Sequence, residues 1–184
     1  MVKTVPDGLK PGSDVANLSA MGYDPLKCYT GRSPLEAVSI GIQMDDTDVA
    51  FRCNLVTLSD DAEYAEKTMV DYSSGEITTA EAAELIRAVD EAFRTDEILF
   101  YPGISYRHCM IWHQGPVGLN LTPPHDISDR KITEYLPQNP VILDLMKRSY
   151  EILKAHPINQ DRMARGLNLS LIHISEPTRL GMIS

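Results

Sequence analysis

The sequence predicts an α/β fold across the middle of the chain, and three observations carry that prediction. Residues 48–58 alternate, with Val49, Phe51, Cys53 and Leu55 on one side and Arg52 and Asn54 on the other, which is a strand with one polar face. Thr78-Thr-Ala-Glu81 is a capping box, and Ala82, Leu85, Ile86, Val89 and Phe93 behind it form one helical stripe. Asn139-Pro140 pairs an N-cap residue with a first-turn proline and opens a second helix through Ile142, Leu145, Met146 and Leu153, ending before His156-Pro157. Strands alternating with helices give the α/β class.

The remaining elements follow in order. Residues 1–12, rich in Pro, Gly and Lys, read as loop, and a short helix starts at Ser13, with Ser13 as N-cap and Gly22 as its stop. Residues 23–34 are punctuated loop, and 35–42 read as another short helix. After the strand at 48–58, a loop or hairpin runs to Gly75. Residues 98–101 and 106–113 read as strands split by Pro102-Gly103, and a loop with Pro116, Pro123 and Pro124 follows.

Composition narrows the function. The 184 residues carry a net charge of −9, which excludes the basic face that nucleic-acid binding needs. An enzyme for anionic substrates would have to concentrate its Arg and His locally against that field. The three cysteines, Cys28, Cys53 and Cys109, lack metal-ligand spacing and read as buried free thiols. No apolar stretch is long enough to span a membrane and no signal-peptide pattern is present, so a cytoplasmic protein with no membrane partner is expected.

Ser13 is the first chemical candidate. A serine hydroxyl at a helix start sits beside unpaired N–H groups that stabilise a phosphate, and Asn17 lies one turn on along the same face. The same serine could be a cap alone. Arg107 and His108, with His125-Asp126 behind the rigid Pro123-Pro124, form the second candidate. Arg107 offers a planar fork for phosphate or carboxylate, and the histidines can move protons or pair with an anion, though either could be structural. Arg52 lies on the polar strand face, as a site residue or as a surface arginine. Trp112 and the methionines read as core. Asp45, Asp46 and Asp48 read as a solvated turn in preference to a metal site, and His113 and His156 have no partner at ligand spacing.

Several runs resemble the archaeal-type, bisphosphoglycerate-independent phosphoglycerate mutases. They are Pro11-Gly-Ser-Asp-Val-Ala-Asn-Leu-Ser19, Gly22-Tyr-Asp-Pro25, Tyr29-Thr-Gly-Arg32 and Pro34-Leu-Glu-Ala37. Further along are Asp48-Val-Ala-Phe-Arg-Cys-Asn-Leu-Val-Thr57, Asp71-Tyr-Ser-Ser-Gly-Glu-Ile77, Tyr106-Arg-His108, Thr122-Pro-Pro-His-Asp-Ile127 and Arg165-Gly-Leu-Asn168. The resemblance is continuous from Met1 to Asn168. It implies an alkaline-phosphatase-like core, partial here, with an inserted α/β domain making up most of the fragment. It implies interconversion of 3-phosphoglycerate and 2-phosphoglycerate through a phosphoserine, with two divalent ions (manganese, magnesium or zinc). By this resemblance Ser13 is the nucleophile and a metal ligand. Asn17 holds the phosphoserine, and Arg52, Arg107, His108, His125 and Asp126 belong to the domain that closes over substrate. Another phosphotransferase of the superfamily (a phosphopentomutase or a phosphatase) and a non-catalytic substrate-binding module are the rival readings.

The implied organisation is a partial core at 1–45, the inserted domain at 46–160 and a return toward the core at 161–168. The family's remaining metal ligands have no counterpart here: Asp7-Gly8 is not the upstream Asp-Gly motif, and the later Asp and His ligands lie beyond position 168. An inactive fragment is therefore expected. Residues 169–184 resemble an in-frame translation of a sequencing adapter, and they are expected to add no packing.

Overall fold

The computed structural model describes residue 37 and residues 40–179. An antiparallel sheet forms the centre. Strand β1 (Val49–Leu58) has all ten residues buried. It pairs with β4 (Arg107–Trp112) in a register running from Val49↔Trp112 to Asn54↔Arg107. It also pairs with β5 (Leu171–Arg179), from Val49↔Arg179 to Val56↔Leu171. Its last two residues meet β2 (Met69–Asp71), and β3 (Ile98–Ile104) closes the far edge against β4. Pro102, which cannot donate to a ladder, is tolerated because β3 pairs on one side only. The chain passes through Pro102-Gly103 with a register shift, so β3 extends to Ile104 where the sequence suggested a break.

The helices cover the face that carries Val49, Phe51, Cys53 and Leu55. Helix α1 (Thr79–Phe93) buries Ala82, Leu85, Ile86, Val89 and Phe93, the stripe read from the sequence. Its box forms as expected: the Glu81 N–H donates to Thr78 Oγ1 at 3.3 Å. In α2 (Pro140–Ala155) the Asn139 side chain caps the N–H groups of Val141 and Ile142, and Ile142, Leu145, Met146 and Leu153 are buried. These residues join Ile172 and Ile174 of β5 in one core. The opposite sheet face is thinner, with Ala37, Ala50, Cys109 and Ile111 backed by Ile40, Ile42 and Met44.

Two expectations need correction, and one helix adds to those expected. Helix α2 ends at Ala155, before His156-Pro157 as expected, and His156, itself extended, then caps a further helix, α3 (Pro157–Ala164), by accepting from the Ile158 N–H at 3.2 Å. Pro157 is a first-turn proline there, the role that Pro140 plays in α2. Residues 171–179 do pack, because the segment pairs along the open edge of β1 and buries Leu171, Ile172 and Ile174. Asp48 is not a solvated turn residue. It is buried, accepts from the Asp45 N–H at 2.8 Å and lies 2.8 Å from His113 Nδ1, which gives His113 the partner that the sequence did not suggest.

Candidate functional site

Ser13 and Asn17 lie outside the described residues, as do Cys28 and the first of the expected short helices. The other candidates can be placed one by one.

Strand alternation separates Arg107 from His108. Arg107 pairs with Asn54 and shares its face, which also carries Arg52 opposite Cys109. His108 pairs with Cys53 and faces the helix-covered core. Arg107 is exposed, whereas His108 is buried. The Gly103 N–H donates to His108 Nδ1 at 2.8 Å, which puts the imidazole proton on Nε2, where it has no partner among the described residues. Burial lowers the His108 pKa to about 4, against a smaller opposing pull from the Ser105 carbonyl. A histidine held neutral in the core does not meet an anion in solvent.

Arg52 is not a surface arginine. It is buried, with its guanidinium 3.3 Å from the Glu176 carboxylate across the β1–β5 pairing. Asn54 and Ser175 lie on the same sheet face, and among the described residues Asn54 Oδ1 and Ser175 Oγ are buried without hydrogen-bond partners. Cys53 and Cys109 are buried, and burial pushes the Cys53 thiol well above its ordinary pKa.

Aromatic rings connect the two exposed candidates at the strand ends. The Arg107 guanidinium lies 5.5 Å from the Tyr106 ring centroid. Tyr106 meets Tyr72 edge-on at 6.1 Å, and Tyr72 meets the His125 ring edge-on at 6.4 Å. His125 Nε2 is 3.3 Å from Asp126 Oδ1. Arg107, Tyr106, Tyr72, His125 and Asp126 thus form one continuous ladder that brings together Arg107, His125 and Asp126. It leaves out Arg52, which is buried against β5, and His108.

Tyr72 was missed at the sequence level, although a signal for its setting exists. Asp71 is followed by Ser at +2 and Gly at +4, the pattern of a side chain that caps its own loop. The carboxylate accepts from the Ser73 N–H at 2.8 Å, the Ser73 hydroxyl at 2.7 Å and the Gly75 N–H at 2.5 Å. Burial alone would raise the Asp71 pKa, but these three donors outweigh it and hold the carboxyl below its ordinary range. The loop presents the Tyr72 ring 42% exposed, free to touch a ligand.

Among the described residues no group of three or more His, Cys, Asp or Glu side chains could hold a metal ion. Ser13, the one ligand that the resemblance places in this chain, lies outside them, and no step below runs through a metal.

Residues 1–159 match the family model of the 2,3-bisphosphoglycerate-independent phosphoglycerate mutases. The chain belongs to this family. A probable mutase of that kind from Geobacter sulfurreducens is 49% identical over 169 residues, covering 90% of this chain and 42% of the relative. The Methanosarcina barkeri mutase is 46% identical over 172 residues, covering 91% of this chain and 42% of that protein. The chain thus spans well under half the length of these relatives. Among solved structures, the cofactor-independent phosphoglycerate mutase of Thermoplasma acidophilum superposes with a TM-score of 0.65 at 23% identity, over 92% of this chain and 47% of that one. The fold is therefore that of part of a cofactor-independent mutase. The family match takes in Ser13, Asn17 and every rung of the ladder, and ends before α3 is complete.

Proposed function

We propose that the whole protein interconverts 3-phosphoglycerate and 2-phosphoglycerate, and that this chain supplies Ser13 as phosphoryl acceptor and the ladder as a substrate-contacting surface. In the forward half-reaction Ser13 Oγ gives up its proton and attacks phosphorus, the bond from phosphorus to the glycerate oxygen breaks, and that oxygen takes up a proton in its place, so none is gained or lost. The reverse step delivers the phosphoryl group to the other hydroxyl, so atoms balance without a second phosphate donor. Arg107 offers its fork to the substrate carboxylate or phosphate. His125, kept in place by Tyr72 and Asp126, is the group on the ladder able to carry a proton. Asn17 belongs beside the phosphoserine. Divalent metal dependence and a cytoplasmic setting remain part of the proposal for the intact enzyme.

The observation that carries this reading is the ladder itself, because a strongly acidic chain places an exposed guanidinium and an exposed imidazole along one aromatic track inside the family-matched region. The test uses an intact relative carrying this segment. Ser13→Ala should abolish turnover, and Arg107→Ala should raise KM while leaving the fold intact. Substantial turnover in the serine variant would remove Ser13 from the mechanism.

A further inference from the structure

The loop that carries Tyr72 holds three consecutive residues in the left-handed region: Ser74 at φ 50°, Gly75 at 65° and Glu76 at 54°. Glycine adopts that region without penalty, but Ser74 and Glu76 are strained there and persist only if the surroundings enforce the conformation. The Asp71 carboxylate fixes the near side of the loop. The far side is fixed from a distant element. Arg162 of α3 is buried and donates from Nη2 to the Ser74 carbonyl at 2.9 Å. The same guanidinium donates to Glu81 Oε2 at 3.1 Å and to the Asn168 carbonyl at 3.2 Å. One planar fork thereby ties the loop to the first turn of α1 and to the segment leading into β5.

We propose that Arg162 is a positioning residue, setting the Tyr72 ring against His125 through the Ser74 carbonyl. Its importance for catalysis rests on the function proposed above, but the coupling itself is geometric. A ring that is 42% exposed has too little buried surface to fix its own direction, so the loop backbone sets it. Without the guanidinium, the Ser74 carbonyl loses its buried donor and the left-handed run loses the contact that enforces it. Arg165 supplies an internal control. It also grips Glu81, at 2.5 Å, but it does not reach the loop.

The experiment uses the 184-residue chain and reads the His125 ring-proton shifts by NMR, because the edge-on Tyr72 ring displaces them. Tyr72→Leu gives the uncoupled reference. Arg162→Met should move the His125 shifts toward that reference and speed exchange of the Gly75 amide, while Arg165→Met should change neither. If Arg162→Met does not fold, Arg162→Lys is read the same way, since a lysine keeps the charge near Glu81 but cannot serve all three acceptors. Unchanged His125 shifts in a folded Arg162 variant overturn the proposal. Equal shifts in Arg165→Met overturn it too, because general docking of α3 would then explain both. A parallel titration with 3-phosphoglycerate should show binding about tenfold weaker in Arg162→Met, the scale on which supporting side chains count in built sites. If the wild-type chain does not bind 3-phosphoglycerate, the functional reading fails, and the positioning is still decided by the shifts.

Discussion

Arg107 and His108 adjoin in sequence and face opposite sides of one sheet, so a reading that groups residues by adjacency merges a surface fork with a core imidazole. The core imidazole has a pH signature. In the unfolded chain His108 titrates near its ordinary 6.5, and in the fold near 4. Between those values the unfolded state binds the extra proton, so stability that is full above pH 6.5 is lost as pH falls toward 4. The shift corresponds to something on the order of 3 kcal/mol. His108→Leu should flatten this part of the stability profile in urea melts at pH 4 and pH 7. An undiminished slope would show that the group is not buried in solution. His173, also pushed down by burial, is present in both proteins and cancels from the comparison. Gly103 sits at the same turn. A Cβ there would lie 2.2 Å from the Arg107 carbonyl oxygen, a backbone atom that cannot swing aside. Gly103→Ala should therefore destabilise by about 1–3 kcal/mol, the usual range for forced overpacking, and calorimetry would read it directly.

The elements with strong local signals were legible: the capping box of α1, the Asn-Pro start of α2 and the alternation of β1. What sequence could not show for β1 is that its polar face is covered too, with Arg52 and Asn54 buried as well as Phe51, because that depends on partners far along the chain. Helix α3 was missed since a proline read as a stop is also a good first-turn residue, and only tertiary contacts decide between the two. Of the candidate site, Arg107, His125 and Asp126 were visible as residue types. Tyr72 and Arg162 were not, since a ring contact and a bond from Arg162 to the Ser74 carbonyl, 88 positions away, leave no local pattern. Strand β5 is the largest difference. Deleting 169–184 was expected to be neutral, yet the segment buries Leu171, Ile172 and Ile174 and occupies an edge of the central strand. Each such side chain contributes roughly 1.5–3 kcal/mol when fully buried. The deletion should therefore cost at least about 3 kcal/mol, and it should leave an exposed β1 edge prone to association. A truncated chain with an unchanged melting temperature and no increase in light scattering would refute this.

At the scale of the molecule, two facts pull apart. The described residues form one sheet with its helices and carry the Arg107–Tyr106–Tyr72–His125 ladder, while the chain spans 42% of the length of its Geobacter and Methanosarcina relatives. Binding and turnover need different amounts of protein. Binding needs a positioned fork and a fixed ring, the role proposed for Arg107 and the ladder. Turnover needs charge stabilised at the moving phosphoryl group from several sides at once, and this chain matches only 42% of the length of the relatives. The expected result is therefore binding without catalysis. With manganese or magnesium added, 31P NMR should show no conversion of 3-phosphoglycerate to 2-phosphoglycerate by the 184-residue chain. The same ligand at about 100 times its Kd should still stabilise the chain by about 2.7 kcal/mol, and Arg107→Ala should abolish that gain. Measured conversion would show that the length the relatives carry beyond this chain is dispensable for the chemistry. A melting temperature indifferent to phosphoglycerate would show that the ladder does not hold the substrate, since a ligand that binds only the folded state must raise it.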